Sequence, residues 1–375
     1  MHVLLVIPYV DNPYGGPETV AYYLLSGFRS ILKGSDIDVT VLSTSPRCRE
    51  VQLSDNIRVK CLRIPKPITI SAHIHIKKYL DKLDIVPDII HTHDIFFAYS
   101  ASPNFGDKII YTIHGLLWKE REYSNSVPFK ISTYVGESEL KKIVRTVRLT
   151  AISRYVKKEL SYRFGLSPQA IKILYDPISD DYFSIKRKPS EGIIFYPASI
   201  IPRKNQLLLL KVAKLLKNET QEFKIIFTGR IGDSKYYSLI RDYIKKNKLE
   251  RYVLFMGEVP KSKILSLWSL TTVGIIPSLE ETFSLSLVEG LASGTPMLSS
   301  PVGVAPEVIL PGKTGFFIDP HDPFDVADKL RILLEDKTLR KKIGKRGRKI
   351  SWLFHSKNIA LETLKLWRDV YEERG

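Results

Sequence analysis

The chain is short of sulfur, of acidic residues and of long apolar runs. Two cysteines, Cys48 and Cys61, occur in 375 residues. They are too few for a disulfide framework or a zinc site, and a chain so poor in cysteine fits the cytoplasm best. No run approaches the roughly 18 apolar residues of a membrane span. Residues 3–7 (VLLVI) are apolar, but the stretch is short and lacks a basic start, so it reads as a first strand rather than a secretory signal. Internal repeats and low-complexity segments are absent. Acidic residues number 40 against 57 lysines and arginines, a net charge of +17, and most of that excess lies after residue 185. This balance favours polyanionic ligands or an anionic membrane surface. It also admits nucleic acid, although that reading predicts an aromatic-basic interleaving that the basic stretches mostly lack.

What is present is an alternation of buried strands and amphipathic helices, the pattern of parallel sheets with crossover helices. In the first half, apolar runs at 3–7, 38–42, 58–62, 88–93, 108–114 and 149–153 predict strands. Helices are predicted over 19–28, 72–82 and 155–164. Segment 118–135 is aromatic and charged, keeps no clear period, and reads as an acceptor-side loop or lid. The stretch 171–192, which contains the Lys186-Arg187-Lys188 run, makes a natural linker. Strands resume at 192–197, 223–229, 252–257, 273–276 and 297–299, with helices over 206–216, 236–247, 285–292, 322–335 and 358–371. The chain therefore divides into domains 1–184 and 185–355, with a closing helix in 356–375.

Several places can carry chemistry. Strand, glycine loop and helix follow one another at 3–28, and Gly15-Gly16 would expose backbone N–H groups in a phosphate cradle. A glycine pair is otherwise an ordinary turn. His91 and His93 end a strand on one face, as a metal pair would, but no further histidine-rich element completes a shell. Asp36 and Asp38 form an Asp-x-Asp, read here as a strand entrance. The densest stretch is 276–307 (IPSLEETFSLSLVEGLASGTPMLSSPVGVAPE), a strand, a polar turn, a helix stopped at Gly294, and a second strand. Glu281 precedes the helix and Glu289 lies on it. Between them the amides of Phe283, Ser284, Leu285 and Ser286 fall in a helix's first turn, where N–H groups lack intrahelical partners and suit a phosphate. Small Ser284 and Ser286 let a ligand approach the backbone, and Glu289 can accept hydrogen bonds from vicinal ribose hydroxyls. Two glutamates so placed are otherwise a helix cap and a solvent-facing side chain.

Residues 281–289 (ETFSLSLVE) resemble the E-x7-E element of the retaining, nucleotide-sugar-dependent glycosyltransferases of family 4, whose usual form is P-S-x-x-E-G-F-G-L-P-x-x-E-A-x-A-x-G-x-P. Pro277, Ser278, Glu281, Phe283, Leu285, Glu289, Ala292, Gly294 and Pro296 match, while Thr282, Ser284 and Ser286 replace Gly, Gly and Pro. Residues 198–205 (ASIIPRKN) resemble the family's G-R-x-x-x-x-K, with Lys204 at the lysine and Ser199 where the arginine usually stands; Arg203 is the nearest replacement cation. Residues 171–181 resemble V-x-x-N-G-x-D, with Asp176-Pro177 in place of Asn-Gly.

This resemblance implies the GT-B fold: an α/β chain of two doubly wound Rossmann-like domains facing a central cleft. It implies transfer of a sugar from a UDP- or GDP-sugar to a hydroxyl of a lipid-linked, glycan or small-molecule acceptor, by front-face attack with retention. The chain would need no cofactor and no metal beyond its nucleotide-sugar co-substrate, because Arg203 and Lys204 would neutralise the departing diphosphate. Glu281 would contact the donor sugar or the loop, and Glu289 the ribose. The resemblance puts His114 near the sugar, Gly15 and Gly16 on the first glycine loop, and the turn of Gly257 and Val259 beside the base. A sugar-nucleotide epimerase of similar fold is the alternative function, and a basic nucleic-acid-binding protein a further one. The basic stretch 337–349 carries eight cations and no acid. It is either a solvated helix face or a patch that docks a cytoplasmic enzyme on an anionic membrane.

Overall fold

The computed structural model describes residues 1–374 except 12, 14, 66, 67, 125 and 218–221, and at 68–70 the backbone only. Two compact units divide the chain: Met1–Ile178 together with Phe354–Gly375, and Ser179–Leu353.

The first unit holds β1 (His2–Ile7), β2 (Asp38–Ser43), β3 (Val51–Ser54), β4 (Ile57–Cys61), β5 (Ile89–Thr92), β6 (Ile109–Ile113), β7 (Arg148–Ala151) and β8 (Ile171–Ile173). They form one sheet in the order β3-β4-β2-β1-β5-β6-β7-β8. All neighbours are parallel except β3, which pairs antiparallel with β4 at the edge. The inner strands read as continuous apolar runs because helices cover both faces, so successive side chains in β1, β5 and β6 are buried whichever way they point. Those helices are α1 (Gly16–Ile31), α2 (Ile68–Leu80), α3 (Ile95–Phe105), α4 (Leu117–Glu122), α5 (Val127–Ile143) and α6 (Arg154–Phe164).

The second unit repeats the plan with β9 (Ile193–Pro197), β10 (Lys224–Thr228), β11 (Val253–Phe255), β12 (Val273–Ile276), β13 (Met297–Ser299) and β14 (Gly315–Phe317). This sheet runs β11-β10-β9-β12-β13-β14, and every pair is parallel. Its helices are α7 (Asp180–Phe183), α8 (Gln206–Leu216), α9 (Ser234–Asn247), α10 (Lys261–Leu270), α11 (Leu285–Ala292), α12 (Ala305–Val308), α13 (Pro323–Glu335) and α14 (Lys337–Ser351). The last helix, α15 (Ser356–Glu372), belongs to the first unit. It packs on α1 so closely that a Cβ on Gly27 would lie 2.4 Å from the Ser356 carbonyl oxygen. Trp367 of α15 is fully buried, stacked 4.9 Å from the Phe28 ring, and its indole N–H donates to His91 Nδ1 at 3.0 Å.

Three expectations are corrected. Segment 118–135 is no open loop but lies within α4 and α5, apart from a short connection whose Asn125 is outside the described residues. The helical period is hard to see there because Val127, Ile131 and Tyr134 stay exposed on α5. Cys48 and Cys61 are joined by a disulfide that ties the loop after β2 to the end of β4, which removes the cysteine ground for a cytoplasmic setting. Finally, the basic runs are not wholly solvated. The Arg187 guanidinium donates to the carbonyls of Trp268 and Thr271 and to the Thr295 hydroxyl. Burial, helped by the nearby Arg340 and Arg348, lowers its pKa to about 10. Arg340 is buried in α14, donating to the carbonyls of Leu333 and Leu334 and pairing with Glu191 at 2.9 Å.

Candidate donor site at the second switch point

In a doubly wound sheet the ligand crevice opens at the carboxyl ends of the strands, where the strand order reverses. In the second unit that point lies between β9 and β12. The loop after β9 brings Arg203 and Lys204; the loop after β12 brings Glu281.

These loops are cross-braced. Asn205 takes a left-handed φ of 55°, which asparagine tolerates better than most residues, and its side-chain amide donates to the carbonyls of Pro277 (3.2 Å) and Pro320 (2.8 Å). The buried Tyr196 phenol donates to the Lys204 carbonyl at 3.0 Å and lies 2.9 Å from the Ser278 hydroxyl. The Leu279 N–H donates to the Arg203 carbonyl at 2.9 Å, and Arg203 Nη1 donates to the Glu280 carbonyl at 2.8 Å.

At the centre sits Glu281, with 6% of its surface exposed. Lys204 Nζ is 2.5 Å from its Oε1, Arg203 Nη1 is 3.5 Å from its Oε2, and Ser278 Oγ donates to Oε1 at 2.7 Å. Burial alone would push this carboxyl's pKa up. Lys204, Arg203 and the Ser278 hydrogen bond outweigh burial and hold it below the ordinary glutamate value. Glu281 therefore does not cap the helix; it is the counter-ion of the two cations.

The helix α11 begins at Ser284, whose φ of 87° and ψ of 73° place it in the left-handed region, with no side-chain cap. Glycine is the residue that takes this conformation without a Cβ penalty, and serine stands here at a cost. Phe283 is buried and its carbonyl accepts from the Val304 N–H. A Cβ on Gly303 would lie 2.6 Å from that same carbonyl oxygen, so the following turn requires glycine. Ser286 Oγ donates to the Pro197 carbonyl at 2.7 Å, fastening the first turn of α11 to the end of β9. Its role is thus partly structural. Glu289 lies on the buried side of α11, at 7% exposure, and is no solvent-facing residue. Beyond β11, Gly257 turns with φ 66° and its carbonyl accepts from the Gly229 N–H; Val259 follows it, half-buried.

The remaining candidates belong to the first unit. His114 follows β6, and both its ring nitrogens are engaged: Nδ1 is 3.0 Å from Asp176 Oδ1 and Nε2 is 2.8 Å from His93 Nδ1. Burial, reinforced by His114 and His91, holds His93 well below the ordinary histidine pKa. Burial and His114 push His91 down to about 3, so it is neutral, accepting from Trp367 and contacting Thr112 Oγ1 at 2.7 Å. His91 is a structural link to α15. Among the described residues no cluster of histidine, cysteine and carboxylate side chains has the geometry to hold a metal ion. Gly15, with φ 102°, and Gly16 open α1. Asn12 and Tyr14 of that loop lie outside the described residues. The first turn of α1 is fastened to the loop after β2 by Glu18, which accepts from Ser45 Oγ at 2.9 Å and pairs with Arg47.

Sequence reasoning passed over Tyr196 and Asn205 as braces. Tyr196 looks like any strand aromatic, and only the fold shows its hydroxyl reaching two loops.

Solved structures define the fold. Sucrose-phosphate synthase from Thermosynechococcus elongatus matches with a TM-score of 0.80 over 99% of each chain, at 19% identity. The Anabaena protein HepE in complex with UDP-glucose matches with a TM-score of 0.71, over 97% of this chain and 99% of that one, at 16% identity. The fold is GT-B, that of glycosyltransferases. An uncharacterized glycosyltransferase of Methanocaldococcus jannaschii is 24% identical over 292 residues, 76% of this chain and 75% of that protein. The family model described as Glycosyl transferases group 1 matches residues 178–350, and that described as Glycosyltransferase Family 4 matches residues 14–182. Across nearly its whole length, then, this chain belongs to the group 1, family 4 glycosyltransferases.

Proposed function

We propose that the chain moves a sugar from a nucleotide diphosphate sugar, UDP- or GDP-linked, to a hydroxyl of a lipid-linked, glycan or small-molecule acceptor, with retention at the anomeric carbon. The observation that carries this reading is the Arg203–Lys204–Glu281 cluster beside the start of α11, at the switch point of the second sheet. Breaking the bond between the anomeric carbon and the phosphate oxygen leaves negative charge on the diphosphate. Two cations share one carboxylate here, so the cluster keeps positive charge for an entering phosphate, and groups already in place need no reorganisation as charge develops. The amides of Phe283, Ser284, Leu285 and Ser286 offer the positive end of a helix to the same phosphates.

Glu289 accepts from the ribose hydroxyls, and the Gly257–Val259 turn borders the base. Retention follows if the acceptor oxygen attacks from the side on which the diphosphate departs. Its proton passes to the departing phosphate oxygen, so the new bond forms as the old one breaks and no enzymic nucleophile is required. Arg203 and Lys204 do what a divalent cation would otherwise do, and the reaction needs no metal. That HepE was solved with UDP-glucose supports a nucleotide-sugar donor for a chain of the same fold. The test is a panel of nucleotide sugars in excess chelator, scored by free nucleotide. Release from one donor, stimulated by acceptor, is expected; activity that vanishes in chelator and returns with manganese contradicts the leaving-group assignment.

A peripheral membrane position is part of the proposal. Among the described residues no helix is long and apolar enough to cross a membrane. Helix α14 exposes Lys341, Lys342, Lys345 and Arg346. Each cation near an anionic surface contributes about 1 kcal/mol, screened by salt. Salt-reversible binding to anionic vesicles, weakened when these four become glutamine, is expected. Equal binding to neutral vesicles, or none at low salt, leaves α14 an ordinary solvated face.

A further inference from the structure

We infer that Arg230, at the carboxyl end of β10, is a third cation for the donor diphosphate and completes a site that Arg203 and Lys204 only half neutralise. The inference rests on the donor site proposed above.

The last rung of the β9–β10 ladder pairs Pro197 with Thr228. Beyond it the two chains stay locked. The Ala198 N–H donates to the Thr228 carbonyl at 2.8 Å, the Ile200 N–H donates to the Arg230 carbonyl at 2.8 Å, and the N–H groups of Gly232 and Asp233 both donate to the Ile200 carbonyl at 3.1 Å. Gly229 makes this possible: its φ is 131°, and a Cβ there would lie 2.4 Å from the Ala198 carbonyl oxygen. The backbone of Arg230 is therefore fixed about one strand spacing, roughly 4.8 Å, from the Ser199–Ile200 segment that leads into Arg203 and Lys204.

The side chains differ in what they already hold. Lys204 and Arg203 share Glu281. The Arg230 side chain is exposed, and among the described residues it makes no hydrogen bond or ion pair. The nearest acid along the chain, Asp233, is occupied capping α9, where Oδ1 accepts from the Tyr236 N–H at 2.8 Å. Ser199 offers no charge, and its carbonyl accepts from Gln206 Nε2 at 2.9 Å. A diphosphate brings more negative charge than the single net positive charge of two cations and one carboxylate can match. A guanidinium on a rigid backbone, with its fork of donors, suits the remaining phosphate oxygens. A lysine at the same place would supply charge without the fork.

The test compares UDP with UMP, and GDP with GMP, by calorimetry on the full chain. The wild type is expected to prefer one diphosphate over its monophosphate. Arg230→Gln should weaken that diphosphate about tenfold or more while leaving the monophosphate within about twofold. Arg230→Lys should fall between, and Ser199→Arg added to Arg230→Gln should recover most of the loss. A merely structural role would lower both affinities together and would not be rescued from the neighbouring strand. If the wild type discriminates and Arg230→Gln discriminates equally well, the inference is overturned while the donor site stands. If the wild type binds neither diphosphate better than its monophosphate, the donor site itself is wrong and the inference falls with it.

Discussion

Replacing Lys204 tests whether Glu281 is held by its cations or merely lies near them. Lys204→Met removes the closer partner of a carboxylate that is 6% exposed, leaving Arg203 at 3.5 Å and the Ser278 hydroxyl. Breaking a fully buried pair from one side costs about 3–5 kcal/mol. Arg203 remains and the Lys204 side chain is 18% exposed, so the expected loss is about 2–3 kcal/mol. Glu281→Gln in the same chain removes the orphaned charge, and the double variant should be less damaged than the sum of the singles by about 1–2 kcal/mol. The pH dependence has a definite sign. Glu281 has a lowered folded pKa, so its stabilisation is complete above the unfolded carboxylate range and is lost as pH falls through the folded value. Without Lys204 the folded pKa rises towards or above the unfolded value, so the variant loses less stability than the parent as pH falls and the gap between them narrows near pH 4.5. Urea midpoints with their slopes, taken at neutral pH and near pH 4.5, read both effects. A Lys204→Met chain as stable as the parent at both pH values would refute the reasoning.

Other outcomes follow from single positions. Ser284→Gly should stabilise the second unit by about 0.5–1 kcal/mol, because φ 87° penalises a Cβ, and Ser284→Val should cost more than that; thermal unfolding distinguishes them. Reducing Cys48–Cys61, which closes a separation of 13 residues, should destabilise the first unit by about 2–3 kcal/mol, with the Cys48→Ser, Cys61→Ser chain insensitive to reductant. Equal melting with and without reductant would show that the bond does not contribute.

Much of the fold was legible because parallel strands buried on both faces leave apolar runs that need no periodicity to be seen; β12, β13, α8 and α11 fall where those runs and the following Gly-Thr-Pro stop put them. The edge strand β3 escaped notice because its residues are exposed or half-buried and carry no such signature. Helix α5 was hidden for a related reason, its amphipathic pattern blurred by Val127, Ile131 and Tyr134 on the outside. At the candidate site, the motif spacing located Lys204, Glu281 and the start of α11, but not how they combine. That Glu281 pairs with both Lys204 and Arg203 depends on loops from two strands far apart in sequence meeting at the switch point. Nor does a basic run say which of its members are buried, and Arg187 and Arg340 became structural because carbonyls at helix ends face them.

The central claim, that a nucleoside diphosphate lies over the start of α11 with its ribose on Glu289, is tested most directly by calorimetry with Glu289→Ala. In chelator, the parent chain should bind UDP or GDP, and the variant should lose about 1.5–3 kcal/mol of that affinity, the worth of charge-assisted hydrogen bonds to the ribose. Unchanged affinity in a folded Glu289→Ala chain would place the nucleotide elsewhere and contradict the account.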